Sequence, residues 1–238
     1  MSNCFVIELA GISIGIRPLF SQTKVFCEKY ITERMPEFWI EVCVEDIQFE
    51  RRLAADPKIE DVYLESLAVY RKIAESMPSY GVLLVHGSAL ALDGNGYLFA
   101  ANSGVGKSTH AALWRQMYGD RVTMINDDKP LLKVDGEGVR VYGSPWMGKH
   151  RLGSRTSAPL SGISFLHRAE ENSFCRIDER KGFELLLSHC YRPHACVQLA
   201  KTLKLIESVV GSVPLGDLYC NMNPSAAQTA LDGMKGMQ

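Results

Sequence analysis

The sequence predicts a mixed α/β fold made of short strands, hairpins and helices. Three observations support this prediction. Short apolar runs with strand-like alternation recur along the chain, longer amphipathic runs typical of helices lie between them, and one apolar strand leads directly into a glycine-rich loop and a helix. The length of 238 residues suffices for one domain with an appendage, so we divide the chain into a small α+β segment (residues 1–80) and a larger domain (residues 81–238).

The N-terminal segment is predicted to contain strands and one long helix. The predicted strands are Phe5–Leu9, Ile12–Ile16 and Phe38–Val44. The charged stretch Phe49–Asp61 is predicted to be a loop that leads to a helix at about Val62–Met77. Pro78 is expected to end this helix, because proline has no N–H to continue the hydrogen-bond pattern.

The larger domain is predicted to open with short strands, the last two of which form a hairpin. These strands are Val82–His86, Ser88–Leu92 and Tyr97–Ala100, and Asp93–Gly96 supplies a turn that tolerates positive φ. A helix at Lys107–Tyr118, a buried strand at Val122–Ile125 and two strand-like runs around Asp135–Gly138 follow.

The C-terminal part is predicted to mix strands and helices after a long loop at Gly143–Arg155. The predicted strands are Ile163–His167, Phe174–Ile177 and Asp217–Asn221. The predicted helices are Glu179–Cys190, Cys196–Val210 and a closing helix from about Ser225.

Composition and charge argue against several classes of function. The net charge of -1, from 26 basic and 27 acidic residues, provides no basic surplus for binding nucleic acid. The most apolar stretch, Gly81–Ala101, is interrupted by polar residues and glycines, so no membrane span is predicted. The N-terminus lacks the basic region of a secretion signal, and no cysteines form a C-x-x-C pair. We therefore expect a cytoplasmic protein that binds neither nucleic acid nor a membrane.

The segment Ala101–Thr109, A-N-S-G-V-G-K-S-T, predicts a phosphate-binding loop because it follows an apolar strand and opens a helix. Gly104 and Gly106 allow backbone conformations that turn successive N–H groups inward, and the helix N-terminus adds partial positive charge. Lys107 is expected to reach the β- and γ-phosphates, and the hydroxyl of Ser108 to bind Mg²⁺. The predicted nucleotide-binding residues are Asn102, Ser103, Gly104, Val105, Gly106, Lys107, Ser108 and Thr109.

An acidic pair, Asp127 and Asp128, follows the predicted strand Val122–Ile125 after one asparagine. A carboxylate beside a phosphate-binding loop can hold the metal, and a second one can accept the proton of an attacking hydroxyl. Ser108 and Asp128 are the predicted metal ligands, and both aspartates are candidate catalytic groups. The spacing does not decide which aspartate has which role, and a solvated turn is the alternative interpretation.

Two further features supply candidate catalytic residues. His86 ends the strand before the hairpin, where a hydrogen bond to one aspartate would tune the proton acceptor; a structural histidine is the alternative. The loop Ser144–Arg151 combines glycine, an aromatic residue and cations. Lys149 and Arg151, with Arg155 behind them, are candidates to neutralise charge in a phosphoryl transition state, unless the loop is simply solvated.

The order of these motifs resembles the catalytic domain of HPr kinase/phosphorylase, whose P-loop fold is shared with phosphoenolpyruvate carboxykinase. The motifs are the His-Gly-Ser strand end, the hairpin, the glycine-rich loop and the Asp-Asp pair, and the resemblance covers about Leu83 to Ser144 well. It does not extend to the first eighty residues, and Ala101 stands where the family has glycine. Alanine is compatible with this position wherever φ is negative.

The resemblance implies a P-loop kinase core that uses ATP with Mg²⁺ and transfers the γ-phosphoryl group to a hydroxyl. The aspartate that His86 supports would be the base. The expected acceptor is a hydroxyl of a peptide, a protein or a small metabolite, and assembly into a homo-oligomer is expected from the family. The alternative function is a nucleotide-dependent switch with little turnover. The donor remains open between ATP, another nucleoside triphosphate and pyrophosphate, since a P-loop recognises phosphates better than bases.

Overall fold

The computed structural model describes residues 4–54, 56 and 58–236. Outside the described residues lie both ends of the chain, residues 1–3 and 237–238, which belong to the two predicted parts. Two residues of the predicted loop Phe49–Asp61, at positions 55 and 57, also lie outside them. The described chain forms two β-sheets with helices packed on them. The fold is mixed α/β, as predicted.

A small sheet occupies the N-terminal part. Its strands are β1 (Phe5–Leu9), β2 (Ile12–Arg17) and β3 (Phe38–Glu41). Strands β1 and β2 form an antiparallel hairpin, and β3 pairs with β2 in the parallel direction. The helices of this part are α1 (Gln22–Phe26), α2 (Val44–Leu53) and α3 (Asp61–Ser76). The first two strand predictions are confirmed, whereas the third strand ends before Val44 and α1 was not predicted.

The prediction of a loop over Phe49–Asp61 is wrong in its first part, because α2 extends to Leu53. The carboxylates of Asp46 and Glu50 in α2 are buried against the neighbouring helix α3. Arg71 of α3 donates hydrogen bonds to Glu50 at 2.6 Å and to Asp46 at 3.0 Å. Charge in this stretch therefore marks a helix–helix contact.

The larger sheet contains nine strands within the described chain. They are β4 (Val82–Leu84), β5 (Ser88–Leu92), β6 (Asn95–Ala100), β7 (Val122–Asn126), β8 (Leu131–Asp135), β9 (Gly138–Tyr142), β10 (Ser157–Arg168), β11 (Ser173–Arg176) and β12 (Leu215–Cys220). Their order is β4-β8-β9-β10-β6-β5-β7, with β12 also beside β10 and β11 beside β12. Strands β6, β10 and β12 run parallel, and the other pairs are antiparallel.

Strand β10 is longer than the predicted strand Ile163–His167. Its first residues, Ser157–Pro159, pair with β9, and its last residues, Ile163–Arg168, pair with β12. Serines and a proline interrupt the apolar pattern in the first half, which hides the strand in the sequence. Strand β10 consequently joins the antiparallel and the parallel parts of the sheet.

Helices cover both faces of the larger sheet. They are α4 (Lys107–Tyr118), α5 (Glu179–His189), α6 (Cys196–Val210) and α7 (Ser225–Lys235). Alternate residues of β6 separate the two layers: Tyr97 and Phe99 belong to the core under α4 and α7, whereas Leu98 and Ala100 belong to the core under α5 and α6. None of the described helices has both the length and the apolar character needed to cross a bilayer.

The N-terminal part and the larger domain share a hydrophobic core. Val82 and Leu84 of β4 pack in one cluster with residues of the small sheet and of α3, and Trp146 from the long loop joins them. The indole N–H of Trp146 also donates a hydrogen bond to the carbonyl oxygen of Ser66 in α3, at 2.9 Å. The long loop is thereby held against the N-terminal part.

His110 is a buried polar residue in α4, with 2% of its surface exposed. Its Nε2 accepts a hydrogen bond from Nε1 of Trp114 at 2.9 Å, so the proton of the neutral ring lies on Nδ1. Among the described residues, Nδ1 of His110 has no hydrogen-bond partner. Burial lowers the pKa of His110 to about 4, so the ring is uncharged at neutral pH.

We expect the free energy of unfolding to decrease as the pH falls from about 6.5 to 4. The unfolded chain protonates His110 near its usual pKa of 6.5, whereas the folded protein resists protonation down to about 4. Between pH 7 and pH 5 this difference costs about 1–2 kcal/mol of stability. Urea unfolding at both pH values measures the loss. His110→Gln, which keeps an acceptor for Trp114, should lose less stability over this range; equal losses would contradict the assignment.

Candidate functional site

The glycine-rich loop connects β6 to α4 at the carboxyl edge of the parallel strands. Gly104 and Gly106 have φ angles of +80° and +126°, as a loop that turns its N–H groups inward requires. A Cβ added to Gly104 would meet nothing within 4 Å, so the backbone conformation, not crowding, favours glycine there. Ala101 has no positive φ, which explains how alanine replaces the glycine of the pattern. Nζ of Lys107 donates to the carbonyl oxygen of Ala101 at 2.9 Å, so the side chain folds over the loop.

Arg168, which the sequence analysis missed, supports the loop from outside. Its guanidinium group donates hydrogen bonds to the carbonyl oxygens of Gly104 and of Val105, the latter at 3.2 Å. These carbonyl groups therefore point away from the concave side of the loop. Arg168 ends β10, and only the pairing of β10 with β6 brings it to the loop.

Asn126, at the end of β7, holds in place the turn that contains Asp127 and Asp128, here called the acidic turn. Its side chain is fully buried, and its Oδ1 accepts hydrogen bonds from the backbone N–H groups of Asp128 at 2.8 Å and Lys129 at 2.7 Å. Its Nδ2 donates to Ser144 at the start of the long loop. Sequence analysis gave Asn126 no role of its own, yet its side chain joins the turn to the loop that carries Lys149.

The two aspartates have different surroundings. Asp127 is 6% exposed, and its Oδ1 accepts a hydrogen bond from the hydroxyl of Ser88 at 2.7 Å. Asp128 is more exposed, and its Oδ1 lies 3.4 Å from Nε2 of His86. Its Oδ2 lies 3.8 Å from Nζ of Lys129. The contact with His86 distinguishes Asp128 from its neighbour, a distinction that sequence spacing did not provide.

His86 is held by its backbone and is partly buried. Its N–H donates to the carbonyl oxygen of His189 in α5 at 2.8 Å. Burial lowers the pKa of His86 below its usual 6.5; the charges of Lys107 and Lys129 lower it further, and Asp128 opposes them. Burial also lowers the pKa of Lys107 below its usual 10.5, against the opposite effect of the two aspartates. The imidazole is therefore uncharged at neutral pH and can accept a proton or a hydrogen bond.

These groups line one cleft of about 690 Å³. The predicted residues that line it are His86, Ser103, Gly104, Gly106, Lys107, Ser108, Thr109, Asp127, Asp128, Lys149 and Arg151. Asn102 and Val105 belong to the loop but do not line this cleft. Arg155 points elsewhere, since its guanidinium group lies 3.4 Å from the carboxylate of Glu8.

The segment Ser144–Arg151 of the long loop, which carries the candidate cations, packs closely against the acidic turn. Gly148 has a φ of +69°, and a Cβ there would lie 3.2 Å from the Cβ of Asp128. Lys149 and Arg151 follow this glycine, line the cleft and are exposed to solvent. The loop thus brings positive side chains into the same cleft as the glycine-rich loop.

The N-terminal part supplies an apolar wall to the same cleft. Phe26 of α1, together with Tyr63 and Leu67 of α3, lines it beside Trp146 and Met147. Sequence analysis gave these residues no role, because nothing local indicates that α3 reaches the glycine-rich loop. The cleft therefore combines the glycine-rich loop, the acidic pair and cationic side chains with an aromatic, apolar surface.

Comparison with protein-family models gave no match, and comparison with curated proteins gave none either. Among solved structures, the chain is similar to the Hpr(Ser) kinase/phosphatase from Coxiella burnetii, with a TM-score of 0.37 and 12% sequence identity, over 65% of this chain and 97% of that chain. These values do not place the chain in that family, so its function has to be argued from the cleft.

The charges around His86 predict opposite effects of two substitutions on its pKa. Lys107→Met removes a positive charge and should raise the pKa, whereas Asp128→Asn removes a negative charge and should lower it. Histidine ring signals followed by NMR from pH 4 to 8, assigned with His86→Gln, measure both shifts. Lys204→Met, an exposed change in α6, should leave the pKa unchanged. A His86 ring insensitive to both substitutions would contradict the described arrangement.

Proposed function

We propose that this protein is a kinase that transfers the γ-phosphoryl group of ATP, with Mg²⁺, to a hydroxyl of a peptide, protein or small metabolite. One observation carries the proposal. The glycine-rich loop, the Asp127–Asp128 pair and an uncharged His86 line a single cleft. This combination of an anion cradle with a proton acceptor beside it suits phosphoryl transfer better than nucleotide binding alone.

The loop would hold the phosphates. Its inward N–H groups, between Gly104 and Ser108, and the N-terminus of α4 offer hydrogen-bond donors and partial positive charge. Lys107, which now bonds to the carbonyl oxygen of Ala101, would turn to the β- and γ-phosphates when they arrive.

The hydroxyl of Ser108 and the carboxylate of Asp127 would hold Mg²⁺, for which such oxygen atoms are suitable ligands. One oxygen of Asp127 is fixed by Ser88, and this orients the carboxylate while the other oxygen stays available. The sequence prediction gave this metal role to Asp128; the contact of Asp128 with His86 leads us to propose the reverse division. When bound there, Mg²⁺ would neutralise negative charge on the phosphates.

Asp128 would accept the proton of the attacking hydroxyl. The hydroxyl oxygen forms a new bond to the γ-phosphorus, the bond from that phosphorus to the β–γ bridging oxygen breaks, and ADP leaves with the electron pair. The neutral ring of His86, 3.4 Å from Oδ1 of Asp128, orients the carboxylate without adding positive charge that would oppose proton uptake. Lys149 and Arg151 would approach the transferred group and stabilise its charge.

Substitution of Lys107 or Asp128 should abolish acceptor-dependent phosphoryl transfer. We expect Lys107→Ala to lower the rate about 10²–10³-fold through lost charge stabilisation. Asp128→Asn should lower it about 10²–10⁴-fold through loss of the proton acceptor. The measurement is release and transfer of labelled γ-phosphate from ATP with Mg²⁺, with and without cell extract and serine-containing peptides.

Two exposed substitutions of the same types, Lys204→Ala and Asp120→Asn, serve as matched controls and should leave the rate unchanged. Tight binding of ATP without turnover under any acceptor would contradict the kinase proposal. That outcome would support the alternative of a nucleotide-dependent switch.

Titration with Mg²⁺ should separate the roles of the two aspartates. Asp127→Asn should raise the Mg²⁺ concentration needed for half-maximal rate, because it weakens a metal ligand. Asp128→Asn should lower the maximal rate with little change in that concentration. If instead Asp128→Asn raised the required Mg²⁺ concentration and Asp127→Asn lowered only the maximal rate, Asp128 would be the metal ligand, as the sequence analysis predicted.

A further inference from the structure

The side chain of Lys129, the residue after the acidic pair, lines the same cleft as the glycine-rich loop. Its backbone is fixed on both sides. The N–H of Lys129 donates a hydrogen bond to Oδ1 of Asn126 at 2.7 Å, and its carbonyl oxygen accepts one from the hydroxyl of Ser144 at 2.6 Å. Its Nζ lies over the ring of Tyr70 in α3, 5.0 Å from the ring centroid. Lys129 is therefore held at both its backbone and its charged end.

The Tyr70 ring contacts the ammonium group from the side of α3. The electron-rich face of an aromatic ring attracts a cation. Tyr70 is itself packed against Trp146, with 5.1 Å between the ring centroids. Tyr63, Leu67 and Tyr70 are spaced i, i+4 and i+7, so they share one face of α3. Since Tyr63 and Leu67 form part of the apolar wall, Lys129 lies between that wall and the acidic turn.

The ammonium group of Lys129 has donors to spare. Among the described residues, its Nζ has no hydrogen-bond acceptor, whereas Nζ of Lys107 donates to the carbonyl oxygen of Ala101. Oδ2 of Asp128 lies 3.8 Å from Nζ of Lys129, which is beyond the length of a hydrogen bond. A lysine ammonium group carries three N–H donors. They are available to an anion that enters the cleft, because the side chain is 24% exposed.

Lys129 differs in its fixation from the cations of the long loop. Lys149 and Arg151 line the cleft but are exposed, so each has to lose side-chain freedom to bind a ligand. The charge of Lys129 already acts on the site, since it lowers the pKa of His86 and that of Lys107, in both cases less than burial does. Charge that is fixed in advance stabilises a transition state more effectively than charge that has to be brought into position.

We propose that Lys129 is a catalytic residue that contacts the transferred phosphoryl group on the side of the acceptor. The inference rests on the proposed phosphoryl transfer. While the acceptor oxygen bonds to the γ-phosphorus and the bond to the β–γ bridging oxygen breaks, Lys129 donates hydrogen bonds to an oxygen of the moving group and keeps its own protons. Lys107 binds the phosphates on the donor side, and Lys129 binds the group where it arrives.

Transfer of labelled γ-phosphate from ATP with Mg²⁺, with cell extract or serine-containing peptides as acceptors, tests the proposal on the full chain at pH 8. We expect Lys129→Met to lower kcat about 10²-fold, and to change the KM for ATP less than about threefold, because the contact belongs to the transition state. Lys129→Arg keeps the charge and should retain at least about a tenth of the wild-type kcat. Lys204→Met, an exposed change in α6, should alter neither constant.

Two substitutions of Tyr70 test how Lys129 is held. Tyr70→Leu removes the ring and should lower kcat about tenfold in the wild type, but not further in Lys129→Met, because both changes then act on the same contact. Tyr70→Phe keeps the ring and should lower kcat less than Tyr70→Leu does. Full additivity of Tyr70→Leu and Lys129→Met would contradict the proposed role of the ring.

The outcomes separate this inference from the proposed function. The wild-type kcat in Lys129→Met, or equal losses in Lys129→Met and Lys129→Arg, would overturn the catalytic role of the charge and leave the proposed kinase standing. Circular dichroism, together with NMR signals that show a raised pKa of His86, verifies that Lys129→Met folds with the charge removed. Absence of acceptor-dependent transfer in the wild type would overturn the proposed function itself, and with it the inference.

Discussion

The parallel pairing of β10 with β6 and β12, together with the pairing of β5 with β6 and β7, is the constraint on which the candidate site depends. It brings three strand ends to one edge of the sheet, where the glycine-rich loop follows β6 and Arg168 ends β10. At its amino end, strand β10 also pairs with β9, which connects the parallel strands to the antiparallel strands and to the long loop that follows β9. Because β5 pairs with both β6 and β7, His86 before β5 and the acidic pair after β7 lie at the same edge as the glycine-rich loop.

Local signals in the sequence were sufficient to predict those helices and strands whose ends are marked by glycines or turn residues. Helix α4 was predicted at Lys107–Tyr118, as observed, because glycines stand on both sides of an amphipathic run. Strand β1 and the hairpin of β5 and β6 were likewise predictable from alternation and from turn residues. Helix α2 was missed because its charged residues bind α3, and a charged stretch looks the same in sequence whether it contacts water or another helix.

Within the candidate site, the positions of side chains were predictable only where they belong to one contiguous sequence motif. Lys107 and Ser108 could be placed from their motif, but the neighbours of Asp128 and His86 could not, since they depend on which strands pair. Arg168 is the clearest example, because its hydrogen bonds to the loop join residues 63 and 64 positions apart. The distinct surroundings of Asp127 and Asp128 are also tertiary: Ser88 reaches one, and His86 the other.

The two sides of the cleft that contains His86 and the acidic pair differ in the ligand groups that they can bind. In the proposed function, the loop, the aspartates and the cations would bind phosphate, metal and the reacting hydroxyl, and a hydroxyl is the one group that all acceptors of such a kinase share. The opposite wall consists of Phe26, Tyr63 and Leu67, and the hydrogen bond from Trp146 to α3 fixes it in place. Apolar and aromatic contacts contribute most where a ligand has a side chain or ring to bury. For a kinase as proposed, the choice of acceptor is therefore expected to lie with the N-terminal part, whose sequence contains no glycine-rich loop of this kind.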